Sequence, residues 1–337
     1  MKHRMRGRFL CALVAAALCA ALPAEPAADV TSSAKPTTIP RTPDGHPDLQ
    51  GTWTNATITP LERPLQFNGR LNVTDAEAAA FEKDDARHVQ ELDQSGDRLP
   101  FGPSGSTGTG TFNALFFERG TELIRINGVK RTSLIIDPPD GRLPPITDEA
   151  RLRNRTRGNA RADATDVKHH PLSERCILGF DSTAGPPMLP VLYNSTYQIV
   201  QTSDTVMILV EMVHDVRIIR INGSHLPASV HLLLGDSIGH WDGDALIVDT
   251  TNFTNQTPFH GSTENLHVIE RFERTGANQI LYRATMIDPA TFSKPWSLEY
   301  PFNAAPGPLY EYACHEGNYA LPDILAGARK TDSRLTK

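Results

Sequence analysis

Cysteine is scarce in this 337-residue chain, with four residues, and basic charge is not in surplus: 33 Lys and Arg stand against 39 Asp and Glu. The formal charge of -6 argues against nucleic acid as a partner, because such binders present a basic patch. No pair of Cys-x-x-Cys motifs and no helical His-x-x-x-His occur, so a zinc signature is missing. Neither a phosphate loop nor a dinucleotide fingerprint is present. Gly-x-Ser-x-Gly at a strand-to-helix turn is absent too. The expectation is a protein with no metal and no cofactor. What is there is an ordinary globular balance, 39% hydrophobic and 21% charged, which disfavours long-range disorder and a fibrous protein.

The N-terminus reads as a secretory leader. Lys2, Arg4, Arg6 and Arg8 precede a short apolar run, 9–22, followed by small residues and prolines. That order is the signal-peptide order, and the run is short for a membrane span; an uncleaved anchor is the alternative. Cleavage near Ala24 removes four basic and no acidic residues, taking the formal charge from -6 to -10. No second long apolar segment follows, so no stable membrane insertion is expected after cleavage, and the location is periplasmic or secreted. Residues 1–24 are the expected leader, 25–45 an Ala/Thr/Pro-rich linker, and 46–330 one β-rich domain. Cys11 and Cys19 leave with the leader. Cys176 and Cys314 remain, and an even pair in an exported chain is most simply a disulfide; a reactive thiol or a metal ligand is the other use.

The domain is read as mainly β, an antiparallel meander closing into a barrel-like, lipocalin-like sheet with two or three peripheral helices. Helices are expected over 73–92, 147–160 and 321–330, the first with a capping box from Thr74 and Glu77. Residues 101–111 are a Gly/Ser/Thr-rich loop. A single long strand is expected over 206–221. Its side chains would alternate, with Val206, Ile208, Val210, Met212, His214, Val216 and Ile218 on one face. Glu211, Asp215 and Arg217 would form a polar group on the other. Both faces are apolar enough to predict a central strand covered on both sides. Tight turns at 222–223, 239–244 and 275–278 predict antiparallel neighbours. A propeller is the rival, but no blade-length repeat is visible.

The candidate site is built on the cysteines. A disulfide holds its Cα atoms within about 7 Å, so Glu174 and Arg175 would approach His315, Glu316 and Tyr319. Acid, guanidinium, imidazole, amide and phenol in one volume are the tools of general acid–base chemistry; a hydrogen-bonded plug fixing the C-terminus is the structural alternative. His315 and His214 are the expected acid/base groups, Glu316 and Glu211 their orienting partners, and Arg175 or Arg217 the holder of developing negative charge. Asp215, Glu174, Tyr319 and Met212 are the expected substrate contacts. His169-His170 is read as a solvated loop pair.

Several phrases are specific: RTPDGHPDLQGTWTNATITPLERP (41–64), RTSLIIDPPDGRLPPIT (131–147), ERCI (174–177), GPPMLP (185–190), YQIVQTSD (197–204), EMVHDVRIIRING (211–223), GDSIGHWDGDALIVDTTNF (235–253) and YEYACHEGNYAL (310–321). In these the chain resembles a family of exported bacterial proteins with no assigned activity. The resemblance spans nearly all of the mature chain. It implies export and one β-rich domain, and transfers no mechanism. The loop 224–234 departs from it in being more apolar. The expected function is a cofactor-independent lyase, isomerase or hydrolase acting on a small organic molecule. The alternatives are a periplasmic binding barrel for a hydrophobic ligand and a metal site of His214, His315 and a carboxylate.

Overall fold

A computed structural model describes residues 39–95, 118–162, 164–179, 183, 185–192, 194–256 and 259–335. The expected leader and the loop 101–111 lie outside them. Nine strands close into a barrel: β1 (Gly51–Thr54), β6 (Thr196–Gln201), β7 (Thr205–Val210), β8 (Val216–Ile221), β9 (Asp236–Asp242), β10 (Ala245–Thr251), β11 (His267–Gly276), β12 (Gln279–Ile287) and β13 (Trp296–Ala304). Closure comes from β1, which pairs with β6 on one side and β13 on the other. The remaining edge of β13 is taken by β5 (Ile135–Asp137), so two short strands share one edge in tandem. β2 (Asn72–Val73), β3 (Arg125–Ile126) and β4 (Val129–Arg131) form a small separate sheet. The expected barrel is the observed one.

The strands follow from period-two patterning. On β12, Ile280, Tyr282, Ala284 and Met286 are buried, while the residues between them are more open to solvent. The interior is aromatic: Tyr282 lies 5.1 Å from Tyr300 and 5.5 Å from Phe302, and Tyr197 lies 5.1 Å from Phe302, centroid to centroid. Each such side chain contributes about 1.5–3 kcal/mol on burial. Helix α1 (Asp75–Ser95) starts with the expected capping box: Thr74 N donates to Glu77 Oε2 at 2.9 Å and Glu77 N to Thr74 Oγ1 at 3.2 Å. Helix α2 (Asp148–Ala162) is capped by Thr147, whose hydroxyl accepts from Ala150 N. A short helix α3 (Cys314–Gly317) and the longer α4 (Ala320–Leu335) end the chain; α4 runs five residues beyond the expected 321–330.

Two expectations are corrected. The strand expected over 206–221 is two strands, β7 and β8, joined by a turn in which Val213 and His214 have φ of 59° and 57°. The chain reverses there, so the predicted faces do not persist: Val206, Ile208 and Val210 point inward, whereas Val216 and Ile218 face outward and are 44% and 48% exposed. The turn carries no Gly or Pro, and its polar residues, Glu211, His214 and Asp215, read as part of an alternating strand. Nor is the meander wholly antiparallel. β8 and β9 run parallel, paired only from Ile219–Ile221 to Ser237–Gly239, because residues 222–235 carry the chain back along the barrel before β9 begins.

The ladder registers sort the connections. At one end lie the tight links 202–204, 243–244 and 277–278. At the other lie 211–215, 252–266, 288–295 and the excursion 55–195. Cys176 and Cys314 are bonded, with Cα atoms 5.8 Å apart across 138 residues. A cross-link over so long a loop restricts the unfolded chain substantially. Cys314→Ser is therefore expected to lower unfolding free energy by roughly 2–5 kcal/mol, read by urea denaturation of the oxidised protein against the variant.

Candidate functional site

The elaborated end of the barrel carries polar chemistry in two layers. The deep layer is inside the barrel. Arg217 on β8 makes a two-pronged bond to Glu270 on β11, at 3.0 and 2.5 Å. Both side chains are essentially fully buried. Tyr282 donates to Glu270 Oε1 at 2.8 Å. Arg217 also reaches Ser237, which bonds Thr250 at 2.9 Å. Burial works against the charge on Arg217, yet the Glu270 carboxylate outweighs it and holds the guanidinium above its ordinary value. Burial also pushes the Tyr197, Tyr282 and Tyr300 hydroxyls up, so all three remain hydrogen-bond donors.

A strap formed by residues 185–190 and Thr183 packs on this layer. Met188 N donates to Tyr282 Oη, Asn55 Nδ2 donates to Met188 O, and Tyr197 donates to Thr183 O at 2.9 Å. Asn55 Nδ2 also bonds Tyr197 Oη at 3.2 Å. Arg217 Nε is buried here without a partner; Asn55 Oδ1 and Tyr300 Oη make no hydrogen bond of ordinary geometry, although Asn55 lies close enough to Tyr300 to act on its hydroxyl against burial. An unsatisfied buried polar atom costs about 1–3 kcal/mol, and most folds avoid it.

The outer layer is the rim around the disulfide. A cleft of about 320 Å³ is lined by Ser173, Glu174, both cysteines, Tyr312, Ala313, Gly317 and Asn318. Glu174 Oε2 lies 2.8 Å from His170 Nδ1, four residues earlier, and the His170 side chain is nearly buried. Asn318 Nδ2 donates to Glu174 O at 2.8 Å. Tyr312 N donates to His214 Nε2 at 3.1 Å, which ties the tail to the β7–β8 turn. Asp215 accepts from Gly179 N at 3.2 Å. Burial raises its carboxyl to about 6, against that bond and the nearby His214. Gly179 must be glycine: a Cβ there would sit 2.1 Å from Thr183 Oγ1 and 3.2 Å from Met212 Sδ.

The cysteine pair thus joins the two segments expected to meet, and brings Glu174 to the tail. It does not gather the whole predicted set. His315 and Glu316, on α3, and Tyr319, between α3 and α4, are exposed, Tyr319 at 77%. His214 is exposed as well, and Arg175 is half-buried with no side-chain hydrogen bond among the described residues. Glu211 is buried and held by Asn194 Nδ2 at 2.7 Å. Met212 is fully buried in the core. The expected group of Glu211, Asp215 and Arg217 is dispersed by the turn: Arg217 enters the barrel while the two acids stay at its rim. Among the described residues no cluster of three or more His, Cys, Asp or Glu side chains could hold a metal ion.

Sequence reasoning missed Glu270, Tyr282, Tyr300 and Asn55, whose convergence depends on barrel closure. It read His170 as one of a solvated loop pair, whereas the side chain is nearly buried against Glu174, four residues on.

No family model matches the chain, and no curated protein matches it. Among solved structures, a variant of the fluorescent protein UnaG is similar over 33% of this chain and 72% of its own, at 11% identity and a TM-score of 0.21. A likeness of that size carries neither ligand nor activity to this protein. No helix among the described residues is long and apolar enough to cross a membrane.

Asp215 makes stability depend on pH. Its folded carboxyl, at about 6, lies above the ordinary value near 3.8 that applies once the chain unfolds. Between these values the unfolded chain gives up a proton that the folded one keeps, so stability falls as pH rises from about 4 to 6. Asp215→Asn is expected to remove that fall and to be more stable than the parent at pH 7. Thermal melts of both proteins across pH 4–8 check this.

Proposed function

We propose that this is an exported barrel that binds a small, largely apolar organic molecule bearing one oxygen function, received by the deep polar layer. The observation that carries this reading is the under-satisfied polar group around the Arg217–Glu270 pair: Arg217 Nε is buried without a partner, and Asn55 Oδ1 and Tyr300 Oη make no hydrogen bond of ordinary geometry. A buried ion pair is weak as a stabiliser, since apolar residues of similar volume serve as well or better. Adding under-satisfied polar atoms beside it makes a purely structural role costlier still. Ligand sites, by contrast, combine apolar and aromatic walls with a few placed polar groups. Phe272, Phe302 and Trp53 supply the walls, and Tyr300, Asn55 and Arg217 the anchors. The strap 185–190 covers the group and holds it through bonds that a ligand oxygen can replace. Export rests on the leader-like N-terminus and the cystine.

Acid–base chemistry at the rim, giving a lyase, isomerase or hydrolase without a cofactor, is a second reading. It is favoured by Asp215, a half-buried carboxyl that titrates near neutrality, as a proton-transfer group must. With His315 and Glu316 turned to solvent, its working set would be Asp215, His214 and the His170–Glu174 pair.

Tyr300→Phe tests the first reading. It removes a buried hydroxyl that makes no hydrogen bond of ordinary geometry, so the variant is expected to be about as stable as the parent by thermal melt. Binding of the amphiphilic probe 1-anilinonaphthalene-8-sulfonate, followed by fluorescence, is expected to saturate in the parent and to weaken about ten-fold in the variant, the worth of one hydrogen bond. A folded parent that does not take up the probe, or equal affinity in the two proteins, sinks the reading.

A further inference from the structure

On the outer face of the barrel, a loop and four strands bring two carboxylates, two imidazoles and a guanidinium into one hydrogen-bonded group. Arg220 lies on β8, Asp236 opens β9, Asp249 lies on β10 and His267 opens β11. Ser237 and Thr250, the next residues along β9 and β10, bond each other inside the barrel, so Asp236 and Asp249 point outward by strand alternation. His225 comes from the segment 222–235, which carries the chain from β8 back to the start of β9. Arg220 donates to both oxygens of Asp236, at 2.8 and 3.1 Å, and to Ser224 O at 2.9 Å. Leu226 N donates to Asp236 Oδ2 at 2.8 Å. His225 Nδ1 lies 3.0 Å from Asp236 Oδ2, and its Nε2 lies 3.1 Å from Asp249 Oδ1. The other oxygen of Asp249 lies 3.0 Å from His267 Nε2.

A count of protons singles out His225. A carboxylate only accepts, and a neutral imidazole donates from one nitrogen alone. His225 meets a carboxylate oxygen at each nitrogen, so a neutral ring turns a lone pair towards one of them. A charged ring donates to both. Asp236 does not supply the missing proton: burial opposes its charge, yet Arg220, the Leu226 amide and His225 hold its carboxyl down to about 2. Charge closes in the same state. Arg220 and a protonated His225 match Asp236 and Asp249, whereas a neutral His225 leaves one negative charge over. The neighbouring imidazoles make smaller demands. His267 meets one carboxylate oxygen, and His231 Nδ1 meets Phe253 O at 2.9 Å; each needs a single N–H, which a neutral ring has. Asp204, at the turn beside the end of β8, is engaged by Thr202 Oγ1 at 2.7 Å.

The group fastens the loop. His225 joins the first half of 222–235 to β9 and β10 at once. The other ties are neutral: Asn252 Nδ2 donates to Leu226 O at 3.1 Å, and Leu232 N to Asn252 O at 2.9 Å. These persist whatever the charge on His225, so its loss loosens the segment without detaching it. Arg220 and Asp236 also stand on either side of the β8–β9 seam, where backbone pairing runs only from Ile219–Ile221 to Ser237–Gly239.

We propose that the segment 222–235 is a pH-responsive clasp, closed onto β9 and β10 while His225 carries its proton and loosened when the proton leaves. Closing takes up a proton, so the clasp opens as pH rises through the range in which histidine changes charge, about pH 5 to 8. The device does not depend on what the barrel interior binds.

Hydrogen exchange of the full oxidised protein tests it, read by mass spectrometry on peptides covering 222–235 and corrected for the pH dependence of chemical exchange. Protection of these peptides is expected to fall about ten-fold or more between about pH 5 and pH 8, the worth of one charge-assisted hydrogen bond. Peptides of the β11–β12 ladder are expected to stay protected throughout, which shows the barrel intact. His225→Gln lacks the charge and is expected to show low protection that no longer varies with pH. His225→Arg carries a permanent charge and several donors, and is expected to stay protected across the range. His231→Gln is expected to keep the parent's dependence. Protection independent of pH in the parent, dependence that survives in His225→Gln, or dependence that vanishes in His231→Gln overturns the proposal.

Discussion

Closure of the sheet by β1 is the constraint on which the other features rest. Trp53 stands opposite Tyr197 on one side and Ala304 on the other, so a four-residue strand joins parts of the chain some 250 residues apart in sequence. Without that pairing β6 and β13 would both be open edges, with the aggregation hazard that open edges carry. With it, the aromatic side chains of both are turned inward and shielded from water. The pairing is non-local, and its loop entropy is met only when most of the chain is in place. Trp53 supports the closure through its own contacts: its indole N–H donates to Leu49 O at 3.0 Å, and the Arg274 guanidinium lies 5.2 Å above its ring.

The closed barrel also explains how a charged pair tolerates its surroundings. Arg217 and Glu270 come from strands separated in the sheet by β9 and β10, and they meet only because the wall curves. Each satisfies the other, while Tyr282, Ser237 and Thr250 take up most of the remaining donors and acceptors. What is left over in this layer is Arg217 Nε without a partner, beside Asn55 Oδ1 and Tyr300 Oη with no hydrogen bond of ordinary geometry. Strain of that kind is what a protein retains where it has a use for it.

Much of this was legible in the chain. The turn chemistry at 239–244 and 275–278 located three hairpin strands and a meander, although the first turn is confined to 243–244 and Gly239–Asp242 belong to β9; the two cysteines downstream of the expected leader located the cross-link. The Thr74–Glu77 capping box located α1. What was not legible has a common physical cause: it depends on where strands sit around the barrel. The turn Met212–His214 lacks glycine and proline and uses left-handed conformations at Val213 and His214, so its polar residues read as part of an alternating strand. Once that turn was missed, Arg217 was grouped with Glu211 and Asp215 instead of with Glu270. The cystine did bring the expected segments together, but proximity along the backbone does not fix which way a side chain points. His315 sits beside the bond and faces away from it, on a helix of a single turn.

The sorting of connections between the two ends of the barrel has an evolutionary consequence. The end with tight links, 202–204, 243–244 and 277–278, fixes strand register and leaves little room for change. The other end carries the long segments, which apart from β5 lie outside the ladder, so most of their length can change without altering how the strands pair. Strand pairing is thereby pinned from one end of the cylinder, and the connections at the other end are free to change length while the cylinder stays the same.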